Sequence, residues 1–140
     1  MKITPKWIRL KFEKRRGNNP FAKAWDEIPE DWQCSMSQGM NLDNDEIPVC
    51  AITAPPNPLL ITTKRMFWRS NAAVHHIKLT EVASVEAPES RHTSKSDVSK
   101  LLVTTHSGEK YLLVTEPGKT LFVLWNLVLQ FTRKQRVTVE

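Results

Sequence analysis

Histidine and cysteine are the residues of this sequence that most often carry catalysis or bind metal ions. His75 and His76 are adjacent, and adjacent residues of a strand point to opposite faces, so they cannot readily share one metal ion. His92 and His106 fall in stretches predicted to be loops, and no His and Glu stand at the spacing of a zinc enzyme. The sequence therefore predicts no metal site and no cofactor.

Nucleophilic catalysis has equally little support. Cys34 and Cys50 fit no zinc pattern and no disulfide framework, and we interpret both as reduced packing residues of a cytosolic protein. Ser107 and Gly108 belong to a predicted hairpin, not to a nucleophile elbow, and four glycines leave no loop that could cradle a phosphate. We therefore expect a binding protein, and an enzyme only if a Cys–His pair forms in three dimensions.

Charged residues are segregated along the chain, although the formal net charge is only +5. Residues 1–25 hold eight Lys or Arg and one acid, whereas residues 26–46 hold seven acids and no base, so we expect local neutralisation. Trp25, Trp32 and Trp68 are expected outside the core or at its edge, and Trp is enriched at binding hot spots. A partner protein with a basic surface would suit this stretch. The predicted protein-binding site consists of Trp25, Asp26, Glu27, Glu30, Asp31 and Trp32.

The basic N-terminal arm supports an alternative site for anionic lipid. It mixes cations with Trp7, as surfaces that bind anionic membranes or nucleic acids do, and a solvated charged strand face is the structural alternative. The sequence contains no helix-turn-helix, zinc-finger or RNA-binding aromatic motif, so a nucleic-acid partner is not expected. The alternative lipid-binding site consists of Lys11, Lys14, Arg15, Arg16, Lys64 and Arg65.

The elements that must position these residues follow from hydrophobic periodicity. Ile8, Leu10 and Phe12 alternate with charged residues, a pattern that predicts a first strand. A short helical turn over residues 21–25 and an irregular acidic connection over residues 26–46 are expected next.

The pattern after residue 47 predicts antiparallel strands, a polar mobile loop over residues 89–99, and a long helix from Lys119 onward with apolar residues three and four apart. The predicted strands are residues 48–53, 59–63, 66–69, 76–79, 82–85, 101–105 and 110–115. We predict a single α+β domain over residues 1–140. Within it, residues 1–45 form the N-terminal strand and acidic connecting segment, and residues 46–136 form the core with its C-terminal helix.

The run from Leu59 to Trp68 resembles the L-x-x-T-x-x-R stretch of bacterial PH-like and GRAM-like domains. Residues 77–85 match the I-x-L-x-x-[I/V]-x-x-[I/V] stretch that follows in those families, and Trp125 stands where PH domains often have a tryptophan. The resemblance covers residues 46–132. It implies curved antiparallel sheets that form a partly open barrel, closed at one end by the C-terminal helix. Members of such folds bind lipids, bind peptides or are purely architectural, so the resemblance leaves the function open.

We expect a cytoplasmic, non-catalytic protein-binding module. Our preferred form is a small inhibitor or immunity protein that neutralises a bacterial toxin by direct binding, and the alternative is a peripheral membrane module that binds anionic lipid head groups. The N-terminus lacks the apolar stretch of a secretory signal. The longest nearly apolar run, residues 121–131, is shorter than the roughly 20 residues that span a bilayer. The oligomeric state stays open.

Overall fold

A computed structural model describes residues 4–53, 58–70, 73–88, 99–115 and 118–139. These residues form two antiparallel sheets and three α-helices, which confirms the predicted α+β class. The helices are α1 (Pro5–Arg16), α2 (Glu30–Ser37) and α3 (Lys119–Val139). The five-stranded sheet has the order β1 (Ala22–Ala24), β2 (Pro48–Ile52), β3 (Leu59–Thr62), β4 (Arg65–Ser70) and β5 (Ala73–Lys78). The three-stranded sheet has the order β6 (Val82–Glu86), β7 (Lys100–Thr105) and β8 (Lys110–Val114).

Residues 8–12 belong to helix α1, so the prediction of a strand there is wrong. In the helix, Ile8 and Phe12 lie one turn apart on one face and are fully buried, whereas Leu10 lies on the other side and is 51% exposed. The alternation of three apolar residues therefore does not mark the two faces of a strand. It reflects one buried pair and one exposed leucine.

The ends of α1 show why the helix forms. Thr4 Oγ1 accepts a hydrogen bond from the Trp7 backbone nitrogen at 3.1 Å, and Pro5 occupies the first helical position, where its missing N–H costs nothing. Three basic residues in the last turn complement the helix dipole. Gly17 then ends the helix at a φ of +52°, a conformation that side chains with a Cβ rarely adopt.

The main core lies between the inner face of the five-stranded sheet, the three-stranded sheet, α1 and α3. The α3 residues Leu121, Leu124, Leu127, Val128 and Phe131 are all buried there, as the helical periodicity predicts. Trp68 also belongs to this core with 6% exposure, so the expectation that it lies outside or at the edge is wrong. No strand of one sheet pairs with a strand of the other in the described part of the chain, and the sheets are therefore not closed into a barrel.

The outer face of the five-stranded sheet carries a second, smaller apolar cluster. Ala51, Leu60 and Phe67 are buried on this face, and the strand register places Ala51 opposite Leu60 and Leu60 opposite Phe67. The cluster is covered by side chains from the acidic part of the sequence. These covering residues are Trp25, Met36, Met40 and Leu42.

Most of the predicted strands are confirmed within one or two residues, as are the β7–β8 hairpin and helix α3. The stretch from residue 76 to 85 forms two strands in different sheets, separated by a 3-10 turn at Leu79–Glu81. The helical turn predicted at residues 21–25 is wrong, because β1 is followed by a 3-10 turn at Trp25–Glu27. The predicted loop over residues 89–99 lies outside the described residues except for Ser99. None of the described helices is long and apolar enough to cross a lipid bilayer.

Candidate protein-interaction surface

Residues 26–46, hereafter the acidic segment, are not an irregular connection as the sequence predicts. They contain helix α2, whose first turn carries Glu30 and Asp31. Acidic side chains at this end complement the positive end of the helix dipole, which explains locally why a helix begins here. Gln33 Nε2 donates a 2.8 Å hydrogen bond to the Trp25 backbone oxygen and so ties α2 to the turn before it.

The first two acids of the segment pair with helix α1. Arg9 Nη1 lies 3.2 Å from Asp26 Oδ1, and Arg16 donates to Glu27. The hydrogen bond from Arg16 is the main reason that the pKa of Glu27 lies below its ordinary value, and a bond from the Ala24 backbone nitrogen acts in the same direction. The expected local neutralisation of the basic arm by the acidic stretch is therefore confirmed for these two pairs.

The remaining residues of the predicted protein-binding site divide between packing and exposure. Trp25 is half-buried against the outer face of the sheet. Glu30, Asp31 and Trp32 are exposed on α2, and the Trp32 side chain is 54% exposed. We call these three residues the α2 patch. The three side chains point to different sides of this first turn, so the exposed tryptophan can bury a large apolar area in a partner while the carboxylates attract a basic surface from the same end of the helix.

Cationic side chains of the sheet form ion pairs and hydrogen bonds with the second half of the acidic segment. Lys64 Nζ lies 2.7 Å from Asp45 Oδ1 and 3.3 Å from Asp43 Oδ2, at an exposed position. Arg69 Nη2 donates to the backbone oxygens of Ser35, at 3.2 Å, and Gln38, which belong to the C-terminal end of α2. Such a cation compensates for helix carbonyls that have no partner within the helix.

Glu46 forms the buried anchor of the segment. Its carboxylate is paired with Arg65 and accepts a 2.5 Å hydrogen bond from Thr62 Oγ1. Burial raises the pKa of Glu46, but the hydrogen bonds from Arg65, Thr62 and the Asp43 backbone nitrogen together outweigh it and hold the pKa below its ordinary value. Arg65 also lies over the Phe67 ring, 4.6 Å from the ring centre.

The alternative lipid-binding residues do not share one chemical environment. Arg16, Lys64 and Arg65 are engaged with carboxylates, and Arg65 is only 14% exposed. Lys11 lies 5.8 Å from the centre of the Trp7 ring. The other two differ in exposure, since Lys14 is exposed and Arg15 half-buried.

Sequence reasoning missed three exposed apolar side chains and one anchoring cation. Leu10, Ile47 and Leu112 are each about half exposed, and Arg69 holds α2 in place. The signal for Leu10 was the Thr-Pro start of α1, which identifies a helix and therefore a different set of faces. Leu112 alternates with buried Leu113 along β8, but which face of a strand is covered depends on packing that periodicity alone does not show.

The two adjacent histidines point to opposite faces of the sheet, as the sequence predicts. His75 stacks on Trp68 and His76 lies against Phe67, so the two histidines face opposite sides of the sheet. Cys50 is buried, as expected of a packing residue, but Cys34 is exposed on α2, so that interpretation is wrong for Cys34; both are free thiols. In the part of the chain that the structure describes, no three His, Cys, Asp or Glu side chains are grouped as a metal site would require.

A small cleft lies between the two sheets, next to the edge of β8. It is lined by Leu59, Trp68, Arg69, Leu124 and residues 112–115, and its volume is about 40 Å³. A cleft of this size has room for a few water molecules.

Comparison with known proteins gives only distant structural likeness. No protein-family model matches the chain, and no curated protein matches it. A solved structure, described as the C-terminal domain of an unknown protein from Leishmania infantum, matches with a TM-score of 0.42 and 15% sequence identity. The match covers 77% of this chain and 97% of that domain. A likeness at this level supports no inference about function.

Proposed function

We propose that this protein is a non-catalytic binding module that recognises a partner protein through the α2 patch. The observation that carries the proposal is the exposure of Trp32, at 54%, in a helical turn that also carries two exposed carboxylates. Removing a large rigid aromatic surface from water stabilises an interface more than most other contacts, and nearby carboxylates favour a basic partner. The form we propose is a small inhibitor or immunity protein that covers the working surface of a bacterial toxin.

The proposed architecture behind this function is PH-like. Strands β2–β5 provide four antiparallel strands, β6–β8 provide three, and α3 follows them, which is the order that the sequence resemblance implies. On this interpretation β1, α1 and the acidic segment are additions to the common frame. The α2 patch then belongs to an added element, which fits a function that is specific to this chain.

The test compares which proteins the immobilised wild-type chain and an immobilised Trp32→Ala variant retain from a lysate of the native cells. A hot-spot tryptophan contributes at least about 2 kcal/mol, so the variant should bind its partner roughly 30-fold more weakly. Leu112→Ala is the matched control, because Leu112 is 50% exposed but lies on β8. A protein retained equally by all three forms would exclude the α2 patch as its binding site.

A second candidate function rests on the exposed face of α1. Lys6, Leu10 and Lys14 follow one another at intervals of four, and all three are exposed. An exposed leucine between lysines is typical of a helix that lies on an anionic membrane surface. Replacing both lysines by Glu should abolish sedimentation with phosphatidylserine vesicles at low salt. If wild-type protein does not sediment, or does so equally with uncharged phosphatidylcholine vesicles, this candidate is excluded.

A further inference from the structure

We propose that the outer face of the five-stranded sheet is a second interaction surface, and that its partner is an acidic amphipathic segment of another protein. In the free chain the acidic segment occupies this face. The proposal does not rest on the proposed function, because the α2 patch lies on exposed positions of α2 and this surface lies underneath the helix.

The floor of the surface is apolar and spans three strands. Ala51, Leu60 and Phe67 form one cross-strand row, and each is at most 1% exposed because the acidic segment covers it. The main core lies on the opposite face of the same sheet. Uncovering the row would therefore expose a continuous apolar strip without removing packing from the main core.

The rim of the surface is cationic. Lys64, Arg65 and Arg69 belong to β4 or directly precede it, and all three contact the acidic segment. Lys64 and Arg65 pair with carboxylates, and Arg69 donates to helix carbonyls at the end of α2. An apolar floor with a cationic rim fits a ligand that combines apolar residues with acids, which is the composition of the segment that now lies there.

The middle of the cover, residues 29–45, contains no fully buried residue. None of the eight residues of α2 is buried, and a helix of this length is too short to persist in water on its own. The pairs of Lys64 with Asp43 and Asp45 are exposed and therefore contribute little. Ile28 is buried at the N-terminal end of the segment, and the Glu46 carboxylate is buried against Arg65 at the C-terminal end, so the part that can open is α2 and the residues after it, between these two fixed ends.

The covering side chains indicate the pattern that a competing ligand needs. Met36 and Met40 stand four positions apart and pack on the apolar floor, while Asp43 and Asp45 reach Lys64. A partner helix with two apolar residues at this spacing, followed by acids, would reproduce both sets of contacts. Methionine adapts readily to such a surface, so the floor can accept other unbranched apolar side chains.

The experiment uses a labelled peptide with the sequence of residues 29–45 and the full-length protein in two forms. In the variant Met36→Asp/Met40→Asp, the chain's own cover is weakened while the floor is unchanged. We expect this variant to bind the peptide at least ten-fold more tightly than wild type, measured by fluorescence anisotropy. Adding Lys64→Glu and Arg69→Glu to the variant should remove the binding, and a peptide with Met36 and Met40 changed to Ser should not bind.

Hydrogen exchange of the wild-type protein provides an independent arm that needs no variant. We expect the α2 amides to exchange at least ten-fold faster than those of β3, because the cover opens without unfolding the sheet. Equal protection of α2 and β3 would overturn the proposal. It would also be overturned by a folded Met36→Asp/Met40→Asp variant that binds the peptide no better than wild type, or by one that forms a dimer through its exposed sheet face.

Discussion

Arg65 and Glu46 form a two-point ion pair at the base of the acidic segment. Arg65 Nε lies 3.1 Å from Glu46 Oε2, and Nη2 lies 2.5 Å from Oε1. The same arginine donates to the Asn41 backbone oxygen at 2.8 Å. One side chain from the start of β4 therefore positions both the stretch that follows α2, at Asn41, and the end of the acidic segment just before β2, at Glu46. Paired geometry of this kind is specific to arginine, since lysine cannot form two parallel bonds to a carboxylate.

Glu46→Ala should destabilise the protein by about 2 kcal/mol, because it leaves the half-buried Arg65 guanidinium without its carboxylate partner. The measurement is urea denaturation at neutral pH. Asp45→Ala is the matched control, since the Asp45 side chain is 75% exposed and its loss should leave the free energy of unfolding nearly unchanged. If both variants lost the same free energy of unfolding, the contribution of Glu46 to stability would not depend on its burial.

Stability should decline in acid through Glu46. Its pKa in the folded protein lies below the ordinary value of 4.5, so its contribution is fully present above that value and is lost as the pH falls through the folded pKa. Glu46→Gln cannot titrate. We therefore expect the free energy of unfolding to fall less in this variant than in wild type between about pH 5 and about pH 3. Parallel curves would contradict the assigned pKa direction.

The two tryptophans of the predicted protein-binding site, Trp25 and Trp32, should respond differently to truncation. Trp32→Ala should change the free energy of unfolding by less than about 0.5 kcal/mol, because the side chain is 54% exposed. Trp25→Ala should cost more, about 2 kcal/mol, because Trp25 packs against the outer face of the sheet. Thermal unfolding of both variants tests this contrast, and it also establishes Trp32→Ala as a fair probe of partner binding.

The two thiols should differ sharply in reactivity. Cys34 is exposed on α2, whereas Cys50 is fully buried in β2 and its pKa is raised by desolvation. An aromatic disulfide reagent at neutral pH should modify one thiol per native chain and two per chain in denaturant. Rapid modification of two thiols in the native protein would show that β2 opens readily. Cys34→Ser is the control that identifies the fast thiol.

Helix α1 can be tested through its two faces. Ile8→Ala and Phe12→Ala should each destabilise the protein by about 3 kcal/mol, since both side chains are fully buried in the main core. Leu10→Ala should be nearly neutral because Leu10 is half exposed. Denaturant unfolding compares the three. A large loss for Leu10→Ala would contradict the assignment of this residue to the solvent face of a helix.

Periodicity was sufficient for the strands after residue 47 and for α3, and insufficient for the N-terminal region. In α3 the buried stripe repeats over three turns, so the pattern has one interpretation. In α1 only Ile8 and Phe12 are buried, and a single exposed Leu10 between them imitates a strand. The capping residues Thr4 and Gly17 were the better evidence, because they report the ends of the helix independently of its faces.

The candidate site was predictable in composition and not in arrangement. Acids and tryptophans in residues 25–32 are visible in the sequence, but their separation into a packed Trp25 and an exposed Trp32 depends on how α2 lies on the sheet. The pairing of Lys64 and Arg65 with acids some 20 positions earlier follows from tertiary structure alone. Long-range ion pairs leave no local pattern, which is why these cations could be assigned to a lipid surface.

The acidic segment joins β1 to β2, which are antiparallel neighbours in the sheet. The entropic cost of closing such a connection rises only with the logarithm of its length, so the sheet tolerates a helix there, or a different helix, at little cost. The connection between β1 and Glu46 is the part of the chain whose sequence can be replaced by another. The frame of the protein and the surface it presents are thus separable. On the proposed function, a chimera that keeps both ends and replaces only α2 should retain the fold and lose the partner of the wild-type chain.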